Sequence, residues 1–314
     1  MTTRDSYVDM WHIMEALQTR YLLTQEMIDQ ILRNNDSCYE RLDLPPPKKV
    51  LSERVKEYLD KGADPNGMPG ASMLRPIHAA AKIGNAEVLT LLVDAGAEVN
   101  TVDAHNSRSP LHYAAEICAD CVKILLKHGA YPDVRDGDDH TPLHWAAYKN
   151  RFECAKYLLE SKATVNALSI NTDQPLHFAA MRGSYECIEL LLDYGADVTV
   201  KNCAGKTPLI KSAITRYGGV LDDYEDDPSF NVLMRASGRI VVRTPPPYPN
   251  TSRYLEHEDI IGFILSITTH VAPLASLCRA VIRQQLVNKY LPDAVRSLHL
   301  PKQIERYLLL QTKT

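Results

Sequence analysis

The chain has 314 residues, 45% of them hydrophobic, a formal net charge of −4 and seven cysteines. The length leaves room for a large core or several domains, and the slightly acidic balance gives no general attraction to nucleic acid or to a membrane surface. The cysteines follow no secretory framework, which favours a reducing compartment, the cytoplasm with the nucleus left open. The opening MTTRDSYVDMWHIM also lacks the basic-then-apolar order of a signal peptide.

In chain order, residues 5–19 set Met10, Ile13, Met14 and Leu17 at helical spacing, and Thr24 is suited to cap a second helix carrying Met27, Ile28, Ile31 and Leu32. Both are expected to pack over the open end of the repeat array that begins near residue 51. Pro45-Pro46-Pro47-Lys48-Lys49 marks a linker, so 1–50 reads as a helical cap with its connection.

From 51 to 215 one grammar recurs. It appears as RPIHAAA at 75–81, SPLHYAA at 109–115, TPLHWAA at 141–147, QPLHFAA at 174–180 and TPLIKSA at 207–213. The prolines at 76, 110, 142, 175 and 208 are spaced 34, 32, 33 and 33 apart. Each opens a short helix with proline in the first turn, where its missing N–H costs nothing. A second helix then stops at Gly62–Ala63, Gly96–Ala97, Gly129–Ala130, Lys162–Ala163 or Gly195–Ala196. Glycine tolerates the positive φ of such a stop, so Lys162 is expected to carry strain. A fixed period near 33 marks a solenoid, whose single units cannot bury their apolar faces alone.

The T-P-L-H-x-A-A phrase and its period resemble the ankyrin repeat. The expected array has a degenerate first unit at Leu51–Asp60, four well-formed units and a degraded last one. This reading disposes of two tempting sites. His78, His112, His144 and His177 are one position repeated, on helices about 8–10 Å apart, too far for nitrogens that must lie about 2.1 Å from a shared metal. They read as structural histidines bonding the hairpin backbone. Cys118-x-x-Cys121 looks like a redox or zinc half-site, yet Cys121, Cys154 and Cys187 recur every 33 residues and Val88 takes the same place one unit earlier, so the position is small, buried and apolar.

The ankyrin resemblance implies a ligand surface on the hairpin tips and just after the Ala-Ala pair. The tips offer His105, Arg108, Asp138, His140, Asn171, Asp173 and Lys206. The helix positions offer Ile117, Tyr148, Lys149, Met181 and Arg182, with Tyr148 beside Met181 and Arg182 a candidate patch, since aromatic, Met and Arg residues are favoured at interface centres. Tyr113, Trp145 and Phe178, at the x of the phrase, read as core.

After the array, 216–257 reads as a largely irregular insertion, with an acidic run at Asp222–Asp227, a proline-rich stretch at 244–250 and, over Val232–Val242, room for either a short helix or a hairpin. A connecting helix is expected over 258–270. The 19 uncharged residues Ile260–Cys278 approach a membrane-spanning length, but Thr268, Thr269, His270 and Pro273 split them, and two soluble helices are the reading. Over 271–314, Leu274, Leu277, Cys278, Val281, Ile282 and Leu286 form one helical stripe, with further helices opening at Pro292 and Pro301. About 42 residues is at the edge of what buries a core alone, so something must cover the stripe.

Pro273-Leu274-x-x-x-Cys278-x-x-x-Ile282 resembles the elongin-binding box of a SOCS box, and Leu298-His299-Leu300-Pro301 resembles its cullin box, with His299 departing from the pattern. The Met10–Met14 stretch and the Tyr290–Val295 run strengthen the resemblance to one branch of the ankyrin repeat and SOCS box family. The resemblance implies an all-α-dominated fold, an ankyrin solenoid of helix pairs with β-hairpin tips followed by a three-helix SOCS box. It implies a substrate receptor of a ubiquitin ligase. The array would hold a target protein, Pro273, Leu274, Leu277, Cys278, Val281 and Ile282 would hold elongin C with elongin B, and Leu298–Pro301 would hold cullin-5 with its RING subunit. No phosphate-binding loop, nucleophile elbow or clustered metal ligand set is present in the sequence. The expectation is a non-catalytic chain with no cofactor and no metal, acting by bringing a target close to a ubiquitin thioester on another protein. The rival is an ankyrin scaffold without a ligase link.

Overall fold

The computed structural model describes residues 3–33, 48–68, 74–217 and 227–237, together with 293, 295, 296 and 302. Twelve helices and no strand are found among them. They divide into two compact bodies, 1–137 and 138–314.

The first body holds α1 (Thr3–Arg33), α2 (Lys48–Asp60), α3 (Pro76–Ile83), α4 (Ala86–Asp94), α5 (Pro110–Ile117) and α6 (Ala119–Lys127). They act as three helix pairs. The first members α1, α3 and α5 pack in sequence, the second members α2, α4 and α6 do the same, and each pair also packs internally. One difference from the sequence reading lies at the start. The two helices expected before residue 33 are a single helix, for no glycine or proline interrupts 3–33. Thr24 is not its cap. From mid-helix its hydroxyl donates to the Arg20 carbonyl at 2.8 Å and accepts the Asp64 N–H at 2.8 Å. The end of α1, with Met27, Ile28 and Ile31 fully buried, supplies the first helix of a complete first pair. The degenerate unit expected at Leu51–Asp60 is therefore half of a whole one. Ile13, Met14 and Leu17, expected to cover the end of the array, are exposed.

The second body holds α7 (Pro142–Tyr148), α8 (Phe152–Glu160), α9 (Pro175–Arg182), α10 (Tyr185–Asp193), α11 (Pro208–Tyr217) and α12 (Pro228–Ala236). Here α7, α9 and α11 pack in sequence, as do α8, α10 and α12. The last helix falls inside the stretch expected to be irregular. Asp227 caps it, its carboxylate accepting the N–H groups of Ser229 at 2.9 Å and Phe230 at 3.3 Å, with Pro228 in the first turn. Phe230, Val232, Leu233 and Met234 are buried, and the Ser229 hydroxyl donates to the Gly183 carbonyl at 2.9 Å. Burial of each such side chain contributes about 1.5–3 kcal/mol. The degraded last unit is thus a full helix pair with a longer connection: its second helix opens 20 residues after Pro208, where α8 and α10 open 10 residues after Pro142 and Pro175.

The local chemistry follows the motif. Paired alanines at 80–81, 114–115, 146–147 and 179–180 are fully buried, which lets neighbouring first helices approach closely. Gly62, Gly96, Gly129 and Gly195 stop the second helices at φ between +84° and +94°, and Lys162 takes the same place at φ +67°, as its sequence position requires. Within each body a recurring asparagine, Asn66, Asn100 or Asn166, clasps its pair to the one that follows. Asn66 donates to the Gly96 carbonyl at 2.9 Å and accepts the Glu98 N–H at 2.8 Å. Asn100 does the same with Gly129 and Tyr131, both at 2.9 Å, and Asn166 with Gly195 at 3.4 Å and Asp197 at 3.0 Å.

The tips are turns. A backbone bond spans each of three: Asp103 N–H to Arg108 O at 2.9 Å, Ser169 N–H to Asp173 O at 3.0 Å and Asn202 N–H to Lys206 O at 3.0 Å, the latter two enclosing tighter turns from Thr172 N–H to Ser169 O and from Gly205 N–H to Asn202 O, each at 2.8 Å. Side-chain acceptors then take the donors a ladder would have used, as when the Asp103 carboxylate accepts from His105 and Asn106. That is why the expected hairpins contain no strand.

Of the linker expected at 45–49, Lys48 and Lys49 are the first residues of α2, while 45–47, the Ile260–Cys278 stretch, the connecting helix expected at 258–270 and every elongin- and cullin-binding residue proposed from the sequence lie outside the described residues. Among the described residues no helix is long and apolar enough to cross a membrane.

Candidate binding surface

The four motif histidines are fully buried. His112, His144 and His177 accept the N–H of Ser109, Thr141 and Gln174 at their Nδ1 atoms, at 3.0, 3.0 and 3.1 Å. With Nδ1 an acceptor, the proton sits on Nε2. From there His144 donates to the Asp173 carbonyl and His177 to the Lys206 carbonyl, each at 3.1 Å. These rings tie a helix start to the next tip. Burial depresses the His177 pKa and keeps the ring neutral, against the pull of the Asp173 carboxylate. His78 differs. Neither of its ring nitrogens makes a hydrogen bond of good geometry, although the Thr101 and Arg108 backbones lie close enough to favour its protonated form weakly. Burial drives its pKa from 6.5 down to about 4, although the Asp103 carboxylate opposes the shift. Cys121, Cys154, Cys187 and Val88 are all buried at their shared position. Burial first, then the Glu186 charge, pushes the Cys187 thiol up to about 12. Among the described residues no three His, Cys, Asp or Glu side chains converge as a metal site.

The proposed target-binding residues of the first body are partly occupied. Arg108 bonds Glu116 at 3.0 Å, lies 3.7 Å from Asp136 and sits 5.8 Å over the Tyr113 ring. The Tyr113 hydroxyl in turn donates to Asp103 at 2.8 Å. Burial raises the Tyr113 pKa, reinforced by that bond. Burial also pushes Asp103 upward, but the N–H of Asn106, the Tyr113 hydroxyl and the N–H of His105 outweigh it and hold the carboxyl low. Arg108 is thus a brace of the tip. His105 and Ile117 are exposed.

In the second body Asp173, expected on an exposed tip, is buried. Its carboxylate takes Asn202 at 2.9 Å and Lys211 at 2.6 Å. Lys206 is half-buried, and Asp138 and Asn171 are exposed, their carbonyls accepting from Ile170 and Cys203 at 3.1 Å. His140 joins a ring cluster, edge-on to Phe178 at 5.0 Å and to Trp145 at 5.5 Å.

Three of the proposed residues, Tyr148, Lys149 and Arg182, do converge. Tyr148 and Lys149 end α7, and Met181 and Arg182 end α9. Tyr148 stands edge-on to Trp145 at 6.1 Å and to Phe178 at 6.0 Å. The Arg182 guanidinium lies 4.9 Å from its ring centroid and the Lys149 ammonium 5.6 Å, both within cation–π range. Trp145, Phe178 and Tyr113, read as core, are half-buried, with Trp145 and Phe178 forming the floor of this patch. Two exposed aliphatic residues on a tip, Leu168 and Ile170, were not singled out from the sequence, though apolar residues among polar tip positions were the signal.

Comparison with known families agrees with this architecture. The family described as ankyrin repeats (3 copies) matches residues 50–136, 77–169, 132–202 and 164–222. The SOCS box family matches residues 270–309. The chain belongs to the ankyrin repeat and SOCS box family. The ankyrin match begins at 50, so α1, which completes the first pair of this family member, lies before it. Over 94 residues the chain is 38% identical to transient receptor potential channel pyrexia of Drosophila melanogaster, covering 30% of this chain and 10% of that protein. Over 101 residues it is 33% identical to E3 ubiquitin-protein ligase KEG of Arabidopsis thaliana, covering 32% of this chain and 6% of that protein. It is also 37% identical to cyclin-dependent kinase 4 inhibitor B of Homo sapiens over 97 residues, 31% of this chain and 69% of that protein. The chain thus spans a tenth or less of the length of the first two relatives.

Proposed function

We propose that this family member is the substrate-recognition subunit of an elongin B/C–cullin-5–RING E3 ubiquitin ligase, close to the family's eighth member. The observation that carries the reading is the SOCS box match over 270–309, which spans both boxes proposed from the sequence and follows an ankyrin array over 50–222. In this reading Pro273, Leu274, Leu277, Cys278, Val281 and Ile282 face elongin C, and Leu298, His299, Leu300 and Pro301 face cullin-5. The array binds the target, with Tyr148, Lys149, Met181 and Arg182 at its centre. The chain performs no chemistry of its own. It raises the effective concentration of a target lysine near the ubiquitin thioester, in the cytoplasm or nucleus.

The cullin half has its own test. The purified chain with elongin B/C is immobilised and cullin-5 binding is measured for the parent and for Leu300→Ala with Pro301→Ala. The reading requires clear binding by the parent and a loss of about tenfold or more in the variant. Equal binding of both would remove the cullin role from these residues.

A further inference from the structure

We propose that the first half of α1 pairs with α1 of a second copy of this chain, as an antiparallel coiled coil with Met14, Leu17 and Tyr21 in its seam and Ile13 at its flank. This pairing goes beyond the ligase reading and does not depend on it.

The spacing along α1 is the first observation. Met14 and Tyr21 lie seven residues apart, and the next step of seven reaches Ile28. Leu17 is followed at the same interval by Thr24 and Ile31. Two positions separated by three and four residues therefore recur along one helix, the pattern that a second helix lying along the seam satisfies. The second observation is that one end of this seam is already in use. Thr24, Ile28 and Ile31 are buried in the first body, where α1 packs on α2 and α3. Ile13, Met14, Leu17 and Tyr21 are between 47% and 62% exposed, so an established helix interface runs on into solvent. The third is the side that α1 turns inward. Ala16, Thr19 and Leu23 line a cleft with Lys61 and Gly62, and Arg20 pairs with Asp64 at 3.2 Å. At about 100° per residue, Ala16, Thr19 and Leu23 lie across the helix from the seam. The body braces that side and leaves the apolar one facing out.

Single exposed apolar residues are ordinary on a protein surface. Four on one helix face in a seven-residue register are not scattered in that way. Among the described residues no other helix exposes more than one large apolar side chain, so the element of this chain that matches the seam is another α1. The seam positions carry no charge, so two copies meet there without like charges in apposition. Tyr7 and Met10 continue both series in the sequence. Six side chains from each copy, at about 60–120 Å² apiece, bury about 700–1,400 Å² in all. That is the lower edge of a stable interface and gives a dimer that forms with rising concentration. The antiparallel sense follows from the buried end. Because α2 and α3 fill the seam at Ile28 and Ile31, a parallel copy would drive the two bodies together there, whereas an antiparallel one sends them apart.

Sedimentation velocity of the full-length chain over about 1–100 μM tests the pairing. The parent is compared with Met14→Glu/Leu17→Glu and with Ile170→Glu, an exposed tip residue outside α1, as the control. Thermal melts of all three confirm folding. The proposal predicts that the parent moves from 35.2 kDa toward twice that mass as concentration rises. It predicts a dissociation constant raised about tenfold or more by the double variant and unchanged by the control. A parent that stays monomeric across the range would overturn it. So would a dimer that survives the double variant, or one that Ile170→Glu weakens as much.

Discussion

His78 and His144 occupy one motif position and are equally buried, yet the structure predicts opposite responses to replacement by leucine. His144→Leu removes the bonds from Thr141 N–H and to Asp173 O, stranding both backbone groups, together with the 3.0 Å contact to the Thr141 hydroxyl. At about 1 kcal/mol for each bond and more for a stranded group, the cost should be about 2–4 kcal/mol. His78→Leu removes a ring whose nitrogens make no hydrogen bond of good geometry, so at pH 7.5 it should be neutral or stabilising by about 1 kcal/mol. The acid response separates them further. The native pKa of His78, about 4, lies below its unfolded value of 6.5, so the unfolded chain takes up the proton first. This stability is complete above pH 6.5 and is lost as pH falls toward 4. At pH 5 the loss from this one site is about 2 kcal/mol, which His78→Leu should abolish. Urea unfolding followed by circular dichroism at pH 7.5 and 5.0 reads both effects. If His78→Leu costs as much as His144→Leu at pH 7.5, or keeps the parent's full acid sensitivity, the account of the histidine column is wrong.

Lys162→Gly should stabilise by about 0.5–1 kcal/mol, the relief of a left-handed residue less the added freedom of the unfolded chain, read as a higher urea midpoint. Gly84→Ala should cost about 2 kcal/mol or more, because φ is +69° and the new Cβ would stand 2.8 Å from Ile117 Cγ2. Adding Ile117→Ala should recover the contact part of that loss but not the backbone part. Among the described cysteines, Cys203 should alkylate first at pH 8, with Cys121, Cys154 and Cys187 reacting only on unfolding, as mass mapping of iodoacetamide adducts would show.

Much of the fold was legible because the repeat announces itself. The Pro-to-Pro period, the Gly-Ala stops, the histidine position and the strain at Lys162 follow from single residues in register. The errors lie where the register breaks. In α1 the helix-capping potential of Thr24 was outvoted by uninterrupted helix formers on both sides. In α12 the signal was present, since Asp227-Pro228 is a cap followed by a first-turn proline and Phe230, Leu233 and Met234 lie on one face. The preceding acidic run and the doubled spacing from Pro208 hid it. On the proposed surface the sequence set Tyr148 beside Arg182, and the two side chains do meet, 4.9 Å from guanidinium to ring centroid. It could not show that Asp173 turns inward to Lys211 and Asn202, or that Arg108 is held by Glu116, because those pairings join residues 8 to 38 apart.

The central claim is that this chain hands its target to a ligase through a SOCS box. Its most direct test is co-expression with elongin B/C followed by size exclusion, the parent beside Leu274→Ala/Cys278→Ala. The account predicts a stable three-chain peak for the parent and a free, folded chain for the double variant. A parent that elutes alone while elongin B/C runs separately would contradict it.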